Sequence, residues 1–268
     1  FWPDIRTLYF THLQYKGEKT MVRYKAIIAY DGTNFNGFQK QPNGRTVQEE
    51  VEKTLQKMAN GKEITVFGSG RTDAGVHAIG QVIHFDYPEE RPLERMRFAL
   101  DTQSPEDIAV RQVEIVSEEF HARYLVKEKT YQFRVDIGKP RSPFRRHYAS
   151  YYPYPLDLGK IQRALPDLLG THDFTSFCAS GSSIEDKVRT IYEAKMEVNE
   201  TKDELLFTFR GNGFLYKMIR ILVGTLLKIG NGRLPEDSIP AIIAKKDRNA
   251  AGPTAHPEGL YLYEVKYE

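Results

Sequence analysis

Asp73 is the side chain around which chemistry could be organised. It lies in the run Gly68-Ser69-Gly70-Arg71-Thr72-Asp73-Ala74-Gly75-Val76-His77-Ala78, which gathers a carboxylate, a guanidinium and an imidazole on one stretch. A carboxylate held among cations can serve as a nucleophile or a base, and an imidazole titrates near neutrality. Gly68, Gly70 and Gly75 are expected to let the loop turn tightly through positive φ angles. The spacing is neither the Gly-x-Gly-x-x-Gly fingerprint nor a P-loop, so a nucleotide site is weakly supported. From the loop alone, a surface hairpin loop with a solvated Asp–Arg pair worth roughly 0 to 1 kcal/mol is a commoner explanation than catalysis.

The elements that must position this loop can be read from periodicity. Tyr24, Ala26, Ile28 and Tyr30 alternate with Lys25, Ile27 and Ala29, which predicts a strand ending in Asp31-Gly32. Thr46-Val47-Gln48-Glu49 reads as a capping box, and Val47, Val51, Leu55 and Met58 recur at helical spacing up to Gly61. Strands are expected at 64–67 and 81–86, on either side of the loop. A helix follows from Pro92 with Leu93, Met96 and Leu100 on one side, then a strand at 108–116. Strand, helix, strand, strand, helix, strand is the ferredoxin-like split βαβ order.

A similar order recurs. Tyr131, Phe133, Val135 and Ile137 alternate in a strand, 158–169 is helical in period, and 190–198 with 205–210 reads as a strand pair. A long helix at 214–229, a shorter one near 238–245 and a last strand at 260–267 complete it. The expected fold class is α+β: two ferredoxin-like halves, 21–125 and 126–268, joined in a mainly antiparallel sheet with helices on one face and an RNA-binding cleft between. Residues 1–20 read as an extension upstream of a natural start at Met21.

The helix at 214–229 is apolar round most of its circumference, with Lys217, Arg220, Gly224 and Lys228 as the remaining stripe. An arginine in so apolar a helix requires a carboxylate, because an unpaired buried cation is costly. Asp73 is one candidate partner.

Composition sets wider bounds. The chain has 268 residues, and 38 Lys and Arg against 36 Asp and Glu give a net charge of +2, so any polyanion surface must come from local segregation of charge. A single Cys178 excludes an internal disulfide and a cysteine-rich zinc site. No signal-like apolar core or long apolar span is present in the sequence, and the expected compartment is the cytoplasm. The cluster Lys139-Pro140-Arg141-Ser142-Pro143-Phe144-Arg145-Arg146-His147 suits either an RNA-backbone contact or a solvated linker.

The run from Gly70 to Ala78 strongly resembles the active-site motif of tRNA pseudouridine synthases of the TruA type. So do Asp31-Gly32-Thr33-Asn34-Phe35 with Gly37-Phe38-Gln39, Phe120-His121-Ala122-Arg123, Lys129-Thr130-Tyr131, Gly213-Phe214 through Arg220, and Gly252-Pro253-Thr254-Ala255 with Glu258-Gly259-Leu260-Tyr261. The resemblance spans residues 21–268; Ile221 departs from it, where the family often has Asn. It implies isomerisation of uridine to pseudouridine at positions 38 to 40 of the tRNA anticodon stem-loop, without cofactor or metal, by a homodimer. It further implies that Asp73 is the essential carboxylate, that Arg71 handles the RNA and helps hold the target nucleotide out of its stack, that Tyr131 stacks on the uracil, and that Arg220 supports Asp73.

Two other classes remain open on the residues. Paired split βαβ units with aromatic strands also suit a noncatalytic RRM-like RNA reader. Such a reader has little use for a carboxylate among cations, which makes Asp73 the discriminating residue. A phosphate-binding hydrolase built on the Gly-rich loop is the weaker alternative, since no metal-ligand cluster accompanies it.

Overall fold

Alternation in β1 (Val22–Tyr30) sends Tyr24, Ala26, Ile28 and Tyr30 into the core and leaves Arg23, Lys25, Ile27 and Ala29 partly exposed. The computed structural model describes residues 21–268, and the expected upstream extension, residues 1–20, lies outside the described residues. After β1 come α1 (Val47–Met58), β2 (Phe67–Gly68), β3 (His77–Tyr87), α2 (Leu93–Gln103) and β4 (Ile108–Ile115). Then follow β5 (Glu128–Asp136), β6 (Ser150–Tyr151), α3 (Leu158–Ala164), β7 (Gly170–Asp173), β8 (Val188–Val198), β9 (Glu204–Gly211), α4 (Met218–Gly230), α5 (Ser238–Lys245) and β10 (Leu260–Lys266).

These strands form one mixed, mainly antiparallel sheet in the order β4-β1-β3-β10-β5-β9-β8-β7, with β2 on β3 and β6 on β5. The joint lies at β3 and β10, which pair in parallel through Tyr261↔His77 and Leu262↔Ala78. The start of β3 therefore reaches the boundary between the two parts of the sheet. Asp73 lies just before that start. One continuous core runs beneath both parts and includes Val51 and Leu55 of α1, Met96 and Leu100 of α2, and Ile221 and Leu222 of α4.

Local departures from the sequence reading have physical causes. Thr46 accepts from the Glu49 amide at 3.4 Å, but the Glu49 carboxylate turns to Lys53 at 3.1 Å, so the forward half of the capping box is what forms. Leu93 is exposed at the first turn of α2 while Met96 and Leu100 are buried. Helix α4 begins at Met218 rather than Phe214, because Lys217 adopts a left-handed conformation with φ of 56°. Gly224 is no part of a polar stripe: a Cβ there would come within 1.8 Å of the Pro253 carbonyl oxygen, so the glycine admits the 252–255 segment against the helix. The strand expected at 64–67 narrows to Phe67–Gly68, although Ile64 and Val66 are buried.

Candidate active site

The loop at 69–76 is held from several sides. The Tyr30 hydroxyl bonds the Thr72 hydroxyl at 2.8 Å, the Phe38 amide donates to the Thr72 carbonyl at 3.1 Å, and the Val76 amide closes the turn on the Asp73 carbonyl at 3.1 Å. At the entrance, Lys129 Nζ donates to the Ser69 carbonyl at 2.9 Å and Gln81 Nε2 to the Gly70 carbonyl at 2.9 Å.

Of the three glycines expected at positive φ, Gly75 is the one that adopts it, at 77°. The other two lie close to side chains from elsewhere in the fold. A Cβ on Gly68 would strike the Phe38 ring at 2.5 Å, and one on Gly70 would meet Lys129 Nζ at 2.5 Å. Phe38 and Lys129 thus fit against the loop because the side chains are missing.

Arg220 crosses 147 residues of sequence to reach Asp73, with Nη1 donating to Oδ2 at 2.8 Å. Its Nε donates to the Ala255 carbonyl at 2.8 Å, and its own carbonyl accepts from the Ala255 amide at 3.0 Å. The 252–255 segment, admitted by Gly224, therefore orients the guanidinium from both ends of the residue. The side chains of Arg220 and Asp73 are 12% and 25% exposed, so the pair is recessed but reachable. Asp73 Oδ1 has no hydrogen-bond partner among the described residues.

Asp73 faces a cleft of about 1400 Å³ that extends over both parts of the sheet. Tyr131 and exposed Arg71 line it with Asp73 and Arg220, so the four residues singled out in the sequence are brought together. The Tyr131 ring meets Phe214 edge-on at 5.3 Å between centroids. Burial, then the charges of Tyr30 and Asp73, push its phenol pKa upward and keep it protonated at neutral pH. Six Lys and Arg side chains line the cleft against Asp73 and Asp186, which is the charge segregation that a net +2 requires of a polyanion site.

His77 does not join this set. It is buried in β3, its Nδ1 accepting from the Gly32 amide at 2.9 Å and its Nε2 lying 2.8 Å from the His147 carbonyl. With Nδ1 already an acceptor, Nε2 carries the proton and the ring is neutral. Asp31 Oδ1 also lies 3.2 Å from Nδ1, yet burial dominates and lowers the pKa of the ring. His77 is a structural connector.

The basic cluster at 139–147 does not line the cleft, and its Arg145 is engaged by Asp136, Asp203 and Glu204. Cys178 is buried. Three cleft cations were not singled out as functional candidates: Lys129, whose signal is its two-residue offset from Tyr131 on one strand, Lys217, seen only as part of the polar stripe of the helix, and Arg189, which nothing in the sequence marks.

Comparison with known proteins bears on this site. A family described as tRNA pseudouridine synthase matches residues 26–125 and 164–268. The tRNA pseudouridine synthase A of Streptococcus uberis is 62% identical over 248 residues, 92% of this chain and 99% of that protein. That of Streptococcus sanguinis is 61% identical over 248 residues, 92% of this chain and 100% of that protein. Among solved structures, the archaeal box H/ACA sRNP Nop10-Cbf5 complex aligns over 85% of this chain and 60% of the other at 13% identity and a TM-score of 0.34, a likeness too distant to inform the fold.

Proposed function

This chain belongs to the tRNA pseudouridine synthase family, and we propose that Asp73 is the carboxylate on which its reaction depends. It is an isomerase that converts uridine to pseudouridine in tRNA. That activity sets aside the RNA reader and the hydrolase. The N1 to C1′ glycosidic bond breaks, the uracil turns within the pocket, C5 joins C1′, the C5 proton leaves, and N1 gains one. The observation that carries the role of Asp73 is its pairing with Arg220 at 2.8 Å through one carboxylate oxygen while the other remains unpartnered at the cleft.

An anchored oxygen fixes the carboxylate and an open one can act on the nucleotide, whether by attack on C1′, by attack on C6 or by abstraction of a proton to give a glycal. Arg71, exposed at the cleft, handles the RNA backbone. Extruding a base costs a few kcal/mol. Stacking on Tyr131, worth about 1 to 3 kcal/mol, offsets much of that. The Tyr131 hydroxyl can take part in proton transfer at C5, taking the C5 proton as it passes its own on to water.

Positions 38 to 40 of the anticodon stem-loop are the proposed target, and a cytoplasmic homodimer whose clefts each receive a tRNA held partly by the partner is the proposed assembly; both follow the family resemblance. Two ferredoxin-like halves, 21–125 and 126–268, are the proposed organisation. Their support is topological: β4-β1-β3-β2 and β10-β5-β9-β8 repeat one order, and each contact is antiparallel.

The test maps pseudouridine by carbodiimide labelling and primer extension in tRNA treated with wild type or Asp73→Ala. Modification at positions 38 to 40 by wild type and none by the variant is expected. Full activity in the variant overturns the role of Asp73, and modification elsewhere overturns the target.

A further inference from the structure

Lys129 is a cleft cation that the reaction as described does not use. Lys129 and Tyr131 lie two positions apart on β5, so both side chains emerge on one face, and both line the cleft while Thr130 does not. Its ammonium donates once, to the Ser69 carbonyl at 2.9 Å. An ammonium has three donors, and among the described residues no carboxylate forms an ion pair with Lys129. Arg123 is the charge that acts on it most, and Arg123 is also a cation.

A cation set among protein atoms without a counter-ion is unfavourable unless a ligand supplies the charge. Burial, reinforced by Arg123, pushes the Lys129 ammonium down to about 8, which leaves it mostly charged at neutral pH and ready to gain from an anion. The absent side chain at Gly70 matters in the same way: a Cβ there would sit 2.5 Å from Nζ. The loop that carries Asp73 leaves room for this ammonium and holds it by a carbonyl.

We propose that Lys129 and the loop at Ser69–Gly70 form an anion subsite that binds an RNA phosphate flanking the uridine stacked on Tyr131. This rests on reading the cleft as the uridine site. The anion is a phosphodiester because the substrate is tRNA and because the position, one strand repeat from Tyr131, is about 7 Å along β5 from the base platform. Arg71 and Arg123 are exposed and contribute screened attraction. Lys129 is recessed, where one phosphate is bound more strongly and in a fixed place. Lys129 is thereby a positioning residue that sets which nucleotide enters, by gripping its backbone.

The experiment uses the full chain and synthetic anticodon stem-loop RNAs, with binding followed by fluorescence anisotropy and turnover by pseudouridine mapping. Lys129→Met removes the charge, and Lys129→Gln retains a donor for the Ser69 carbonyl without charge. Both variants are expected to weaken RNA binding roughly tenfold at low salt, to keep kcat within about threefold at saturating RNA, and to reduce the slope of log affinity against log salt by about 0.7 to 0.9. One phosphate at a time beside the target uridine is then replaced by an uncharged methylphosphonate. At one position wild type is expected to lose roughly tenfold and the variants nothing further.

If Lys129→Gln binds like wild type with an unchanged salt slope, or if the variant and methylphosphonate losses multiply at every position, Lys129 merely holds the Ser69 carbonyl and the subsite is wrong. If wild type forms no pseudouridine in these RNAs and none in full-length tRNA, the uridine-site reading fails instead. The salt slopes and the methylphosphonate scan then still decide whether Lys129 contacts phosphate.

Discussion

Two arginine–aspartate pairs mark the two ends of β3, and they use their atoms differently. Beyond its start, Arg220 reaches Asp73 with one nitrogen, and Asp73 keeps an oxygen without a partner among the described residues. Near its end, Arg23 grips Asp86 with two: Nε to Oδ1 at 2.8 Å and Nη2 to Oδ2 at 2.8 Å. Arg23 Nη1 also donates to the carbonyls of Glu118 and Phe120, tying the chain after β4 to the sheet. The same contrast holds for tyrosines. The Tyr87 hydroxyl donates to the Met58 carbonyl at 2.8 Å and the Tyr24 hydroxyl accepts from the Arg91 amide at 2.7 Å, whereas Tyr131 has no such partner among the described residues. A structural polar group has its valences filled within the fold, and a group left partly open in a cleft is available to substrate.

Replacing each aspartate by asparagine is the strongest way to break this comparison. Asparagine can accept the one bond that Asp73 takes from Arg220, so folding is little disturbed there, whereas at Asp86 its amide nitrogen cannot accept and one of the two bonds from Arg23 is lost. Asp73→Asn is expected to slow pseudouridine formation by at least about 10³-fold, with the melting temperature nearly unchanged. Asp86→Asn is expected to leave the rate within about twofold, since Asp86 does not line the cleft. Equal rate losses in the two variants would show that pairing geometry does not separate catalytic from structural carboxylates.

Tyr131→Phe comes next. It keeps the edge contact with Phe214 and removes the hydroxyl alone. A fall in kcat of about 10²-fold with KM within about threefold is expected if that hydroxyl relays the C5 proton. Unchanged turnover in a single-turnover assay would confine Tyr131 to stacking. Below it in size are the lysine substitutions. Arg220→Lys keeps charge but cannot bond Asp73 and the Ala255 carbonyl together, and a rate loss of about 10-fold to 100-fold is expected. Arg23→Lys should cost stability of about 1 kcal/mol, a drop of roughly 2 to 4 °C in a thermal melt, with activity retained.

The sequence disclosed these sites unevenly, for reasons that lie in the residues. Arg220 was traceable because eight residues of its helix are large and apolar and its charge therefore demanded an acid. Among the first six elements, β1, α1, β3, α2 and β4 followed from alternation and helical spacing, which depend on local sequence, while the two-residue β2 overlaps its expected span only at Phe67. His77 misled because a histidine beside an aspartate in a loop-like run looks titratable, whereas the strand begins at His77 itself and buries the ring. Short strands β6 and β7 have too few residues for a period to register. The roles of Gly70 and Gly224 depend on Lys129 and Pro253, partners distant in sequence, and no local pattern encodes such an approach.

The smallest effect concerns acid. Arg23, by hydrogen bonding first and by charge second, holds the Asp86 carboxyl below its ordinary range, against burial that acts the other way. A carboxylate depressed in the folded state contributes stability that is present above its unfolded pKa, about 3.9, and is lost as pH falls through the folded value. Asp86 is 40% exposed, so solvent screening limits that contribution to at most about 1 kcal/mol. The melting-temperature difference between wild type and Asp86→Asn should therefore be constant at neutral pH and narrow below about pH 4. A difference that persists undiminished into acid would mean that shape rather than charge makes the Arg23–Asp86 pair useful. The two ends of β3 would then differ in what their arginines do as well as in how many bonds they make.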